Sequence, residues 1–147
     1  MFDTLLSRLI APEPEPLGQA DCRLALGALM VRLARADGIY NDYEIAHIEH
    51  VLITRYDLSA AEATALRGEA EVLESEAPDT VRFTRAIKDA VPYEERSQVL
   101  EALWQVALSD GRGHEEDALM RLVAPMIGIN DRDSALARQR VETKLGL

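Results

Sequence analysis

Apolar positions recur at a helical period along almost the whole chain. Phe2, Leu5, Leu6, Leu9 and Ile10 share one side of residues 2–10 and predict a short amphipathic helix. Such a helix either docks on its own domain or serves as a peripheral membrane anchor or partner-binding element. The stretch APEPEPLG follows, and its prolines remove donors and favour extended backbone, so residues 1–17 read as a helix plus a Pro-rich linker. Residues 18–147 read as one helical domain. In it, Leu26, Leu29, Met30 and Leu33 mark a helix over 18–36, and Gly38 fits its left-handed cap. Asn41 with Glu44 three residues on has the form of a capping box, opening a helix that carries Ile45, Ile48 and Leu52. Ser59 and Glu62 repeat that signature, with Ala63, Leu66, Ala70 and Leu73 inward to about residue 76.

Pro78 breaks the pattern, and Asp79–Ala90 predicts a further helix packing Phe83 and Ile87. Pro92 suits the first turn of the next helix, which carries Val99, Leu100, Leu103, Val106 and Ala107 to about residue 109. Leu119, Leu122, Val123, Met126 and Ile127 define another, in which Pro125 should kink the helix or shorten its last turn. Asn130 caps a polar final helix with Leu136, Val141 and Leu145 as its sparse apolar contacts. No two-residue alternation competes. The expected fold is all-α, a single bundle of about seven to eight helices.

Composition narrows the function classes. Hydrophobic residues make up 48% and charged residues 29% of 147 positions, the balance of a folded water-facing domain with a real core. With 26 acidic against 16 basic side chains the formal net charge is −10, which disfavours nucleic acid and anionic membranes and favours cations or basic protein surfaces. Cys22, the one cysteine, lies at helical spacing among Ala and Leu and reads as a buried structural thiol. MFDTLLSRLIAPEPEP lacks the basic and apolar regions of a secretory signal, and no apolar run approaches transmembrane length. A cytoplasmic location is the expectation.

The chain also repeats itself. ARADGIYNDYE (34–44) returns as ALSDGRGHEED (107–117), so that Ala34, Asp37 and Gly38 match Ala107, Asp110 and Gly111. Glu44 then faces Asp117, or Glu116 if the second loop is one residue shorter, which also brings the apolar rows into better register. Two helix-turn-helix units separated by two intermediate helices imply a pseudo-duplicated bundle, in which polar sites form where corners converge.

Two readings of these acidic corners stand side by side. Asp-Gly is a common turn dipeptide, and Glu44, Glu115, Glu116 and Asp117 suit the positive N-terminus of a helix. Asp37 and Asp110, however, follow the C-terminal ends of their helices, where the dipole disfavours an anion by about 0.3–1 kcal/mol. A cation would offset that. Carboxylate ligands point to a hard ion, Ca²⁺ or Mg²⁺ rather than Zn²⁺. Asp37-Gly38 with Glu44 reproduces the second half of an EF-hand loop, but Leu33 and Arg35, or Val106 and Leu108, stand at its first and third ligand positions and exclude one.

Other chemistry is thin. Glu44 and His47 have the E-x-x-H spacing of di-iron bundles in a single copy, His50 shares part of that face, and His114 is an N-cap neighbour or a ligand in the second corner. Trp104 reads as core. There is no phosphate loop and no nucleophile with a base, so no catalytic residue is assigned.

Taken together, LARADGIYNDYEIAHIEHVL, YDLSAAEA, LWQVALSDGRGHEEDALMRLV and MIGI resemble the tellurite-resistance TerB-like family over roughly residues 20–130. The related group includes the N-terminal helical domain of a membrane-anchored DnaJ-type co-chaperone and small stand-alone bacterial proteins that begin with a Leu-rich helix. The resemblance implies a duplicated helical bundle with acidic corners suspected of holding divalent cations, serving stress-response or membrane-associated assemblies. It carries the acidic positions onto Asp37, Glu44 and Asp110, and onto Glu116 or Asp117.

The resulting expectation is a non-catalytic interaction or sensing module, stress-related, with a protein partner and a divalent cation at Asp37, Glu44, Asp110, Glu116 and His114. Two alternatives remain: a metal-dependent enzyme built on Glu44, His47, His114 and Glu116, and a metal-independent acidic adaptor for a basic protein.

Overall fold

A computed structural model describes residues 19–36, 38, 40–77, 81–108 and 114–146. The amphipathic helix expected at 2–10 and its linker lie outside the described residues. Among the described residues there are seven α-helices and no strand: α1 (Gln19–Ala34), α2 (Asp42–Tyr56), α3 (Ala60–Glu76), α4 (Val81–Ala90), α5 (Tyr93–Ala107), α6 (His114–Ile127) and α7 (Asp131–Leu145). The all-α bundle is as the sequence predicts.

Side-chain caps set three of the helix starts. Asn41 Oδ1 accepts from the Glu44 amide at 3.1 Å, and Asn130 Oδ1 from that of Asp133 at 2.8 Å. Ser59 and Glu62 form a complete capping box: Ser59 Oγ accepts from Glu62 N at 3.1 Å and Glu62 Oε1 accepts from Ser59 N at 2.9 Å. The amide held by Ser59 keeps the exposed Glu62 carboxyl below its ordinary range. Pro125 falls in the last turn of α6, which ends at Ile127.

The core is organised around α1. From Leu24 to Ala34 every residue except Arg32 is buried, so the helix is enclosed on all sides rather than along one stripe. It packs against α2, α3, α4, α5 and α6. Closest is α3: a Cβ on Gly27 would sit 3.0 Å from that of Ala70. Three expected core positions face water instead, Leu122 (64% exposed), Leu136 (39%) and Leu145 (38%). On α7 the buried residues are Ala137 and Val141, a stripe too small in side-chain volume to stand out in the sequence.

The duplication reaches further than two helix-turn-helix units. α1 packs on α3 as α5 packs on α7, so each repeat is a three-helix unit and α4 alone connects them. The third helices match at a separation of 71 residues: Ser59, Glu62, Arg67 and Glu71 correspond to Asn130, Asp133, Arg138 and Glu142. Loops shortened between helices hide this from a fixed-spacing comparison.

Candidate functional site

The acidic corners are the loops joining α1 to α2, residues 35–41, and α5 to α6, residues 108–113, the second one residue shorter. With that deletion Ile48, Val51 and Leu52 fall on Met120, Val123 and Ala124, and all six are buried. On these bounds Glu44 and Glu116 are each the third residue of their helix, which makes Glu116 rather than Asp117 the counterpart of Glu44.

In the first corner Gly38 donates its amide to Arg35 O at 2.9 Å with φ at +81°, a left-handed turn in which an added Cβ would meet nothing within 4 Å among the described residues. The need is for the backbone angle rather than for space. Glu44 is one of three buried polar or charged side chains among the described residues, with 8% exposure. That separates it from Glu62, which has the same position in its helix and stands in water. An acid that only offsets a helix dipole gains nothing from burial, since desolvation works against its charge.

His47, one turn after Glu44, reaches the other repeat. Its Nε2 lies 2.8 Å from Gln105 O in the last turn of α5. A carbonyl only accepts, so Nε2 donates. This bond sets the second turn of α2 against the end of α5, from which the second corner departs. Tyr43 stacks on His47 at 6.3 Å between ring centroids, and His50 lies 6.4 Å further along the same face.

A polar chain braces the first corner from behind. Glu74, buried in α3, accepts from Arg32 Nε at 2.8 Å and Arg35 Nη1 at 2.9 Å. The Arg35 guanidinium also covers the Tyr40 ring at 4.8 Å. Tyr40 donates to Glu71 at 2.6 Å, and Arg67 links Glu71 to Glu49 of α2. Burial, and then the hydrogen bond to Glu71, raise the Tyr40 hydroxyl above its ordinary value of 10.0. Apart from Arg35, which entered only as a residue that excludes an EF-hand, none of these bracing residues was singled out in the sequence, although Arg and Glu four apart on one helix were a visible signal.

Arg32 and Arg35 bear on the dipole argument for a cation. They place positive charge at the C-terminal end of α1, where an anion would otherwise be disfavoured. Their counterparts at the end of α5 are Gln105 and Leu108, which bring no charge. The dipole argument therefore applies with more force to the second corner than to the first.

Of the five candidate ligands, only Glu44 has a described side chain. Asp37 and Asp110 lie outside the described residues, and His114 and Glu116 stand in the first turn of α6, whose side chains are likewise outside them. Among the described residues no three His, Cys, Asp or Glu side chains form a group suited to a metal ion. Nor is any helix among them long and apolar enough to cross a membrane. Cys22 is half-buried, and burial raises its thiol despite the nearby Arg55.

The family model described as tellurite resistance protein TerB matches residues 23–139, so the chain belongs to the TerB family. No curated protein and no solved structure matches it significantly.

Proposed function

We propose that this member of the tellurite-resistance TerB family is a non-catalytic interaction or sensing module that holds a divalent cation where its two corners meet. The observation that carries the reading is the His47–Gln105 bond, which draws the start of α2 against the end of α5 with buried Glu44 one turn away. Glu44 would then serve the second corner, beside Asp110, instead of sharing one loop with Asp37. The duplicated packing, α2 on α5 and α6 on α1, supports a mirror role in which Glu116 would serve the first corner. Oxygen donors of this kind suit Ca²⁺ or Mg²⁺, with His114 as a fifth candidate ligand. Binding would tie the repeats together and stiffen one end of the bundle, a surface whose acidity suits a basic protein partner.

Calorimetric titration of metal-stripped protein with Ca²⁺, Mg²⁺ and Mn²⁺ tests the cation. Saturable binding and a raised thermal midpoint are expected for wild type, with both lost in Glu44→Gln. Absence of binding heat at millimolar metal, with an unchanged midpoint, would remove the cation from the proposal. The net charge of −10 then favours the acidic adaptor. That reading predicts partner affinity that falls steeply with salt and needs no metal.

A further inference from the structure

The duplication pairs the seam of α2 on α5 with the seam of α6 on α1, and the two are built from opposite chemistry. At the first, a cavity of about 240 Å³ lies between α2, α5 and the last turn of α7, with Arg55, Gln98, Glu101 and Lys144 in its lining. The alignment that matches Arg32 with Gln105, Glu44 with Glu116 and Arg67 with Arg138 puts Ile127, Ala25, Ala28 and Leu73 at those four positions. All four of these apolar side chains are fully buried. One seam is therefore dry core, and its mate carries polar side chains at the same places. Packing alone favours the apolar pattern, because each polar replacement forgoes the burial of apolar surface. The polar seam has a cost in stability that a ligand would offset.

We propose that this cavity binds a small anion with two or more oxygen acceptors, the chemistry shared by inorganic phosphate and a short dicarboxylate, held between Arg55 and Lys144. Among the described residues neither of these cations enters an ion pair. Arg55 lies over the Tyr56 ring at 5.4 Å, and its other near neighbour is Cys22. Burial raises both the Tyr56 hydroxyl and the Cys22 thiol, so they stay neutral at neutral pH and leave the guanidinium charge uncancelled. Arg55 Nε is buried without a hydrogen-bond partner among the described residues, so the fold leaves that guanidinium partly unsatisfied. The acid of the lining, Glu101, is already taken from outside the cavity by Arg140 at 3.2 Å. A guanidinium fork matches two oxygens of one anion, and the Gln98 carboxamide adds a neutral donor. The volume falls below the roughly 300–1,000 Å³ of pockets for drug-sized ligands, which selects a compact anion. The corner cation plays no part in this proposal.

Metal-stripped full-length protein is titrated at constant ionic strength with inorganic phosphate, with succinate, and with succinamide as the neutral match of succinate. Backbone amide signals of residues 51–55, 98–105 and the end of α7 are expected to shift together and saturate with phosphate, succinate or both. Whichever anion binds identifies the source. Succinamide should bind about tenfold more weakly than succinate or worse, the loss of a hydrogen bond to a charged group. Arg55→Gln should weaken anion binding about tenfold, and Lys144→Gln by a smaller factor because that side chain is exposed. The exposed Lys144→Gln variant keeps the test decisive should Arg55→Gln disturb the fold, which circular dichroism reports. Equal responses to succinate and succinamide would overturn the anion. Shifts spread evenly over the surface, or wild-type affinity in both variants, would overturn the site. No saturable shift with either anion would overturn the proposal entirely.

Discussion

The two repeats share one three-helix plan and differ in how their charges close it. In the first, Glu49, Arg67 and Glu71 clamp α2 to α3, while Arg32 and Arg35 hold Glu74 behind the corner. In the second, Arg121 replaces Glu49, and Gln105 and Leu108 replace the two arginines, so the Glu49–Arg67 pair and the arginines behind the corner have no counterparts of the same charge. The first repeat is closed by ion pairs between its helices, and the second has a cleft between α6 and α7. Duplication supplies the scaffold, and divergence at a few charged positions distinguishes its two halves.

The contrast extends to the core, where the largest effects are expected. Gly27 and Ala70 let α1 and α3 approach closely, while their counterparts Leu100 and Val141 fill the space between α5 and α7. Leu100→Ala should cost about 2–5 kcal/mol in denaturant unfolding. Gly27→Leu, which imposes the bulk of the second repeat on the first, should cost about 1–3 kcal/mol or more by overpacking. A neutral Gly27→Leu would show that the repeats are interchangeable in packing.

Charge exchange comes next. Glu49→Arg should destabilise the first repeat by about 1–2 kcal/mol, between the values for exposed and buried pairs, because both partners are about one-fifth exposed. Arg121→Glu should stabilise the second by up to about 1 kcal/mol. Equal and same-signed effects of the two substitutions would contradict the account of the open cleft.

Smaller effects appear at the extremes of pH. The Tyr40 hydroxyl is raised in the fold, first by burial and then by Glu71, so its contribution is complete below its ordinary value of 10.0 and is lost as pH rises beyond it. Tyr40→Phe should therefore cost about 0.5–1.5 kcal/mol at neutral pH and flatten the alkaline loss of stability. Tyr56, raised by burial, supplies a remaining part of that slope. The smallest effect belongs to Glu62, lowered by its bond to the Ser59 amide. Its contribution is present above the ordinary value of 4.5 and fades as pH falls through the lowered one, so Glu62→Gln should reduce the acid sensitivity of the thermal midpoint.

Caps and turns made much of the fold legible in the sequence. Asn41, Ser59 and Asn130 act within three residues of themselves, so their bonds can be read locally. The enclosure of α1 and the inward face of α7 could not be read that way, because they depend on which helices pack around them. The third helix of each repeat was hidden by loop-length changes, although Arg67-Glu71 and Arg138-Glu142 recorded it. For the site, the spacing of Glu44 was visible and its burial was not. The bond from His47 to a main-chain carbonyl leaves no trace in residue types, so the packing of α2 on the end of α5 emerges only from the fold.

The proposed cation site is open to direct measurement by paramagnetic broadening of backbone amide signals with Mn²⁺ at substoichiometric ratio. A cation held between the corners predicts that amides of residues 36–44 and 108–116 broaden together, and that Glu44→Gln abolishes both sets. Broadening confined to one corner, or spread evenly over the acidic surface, would contradict it.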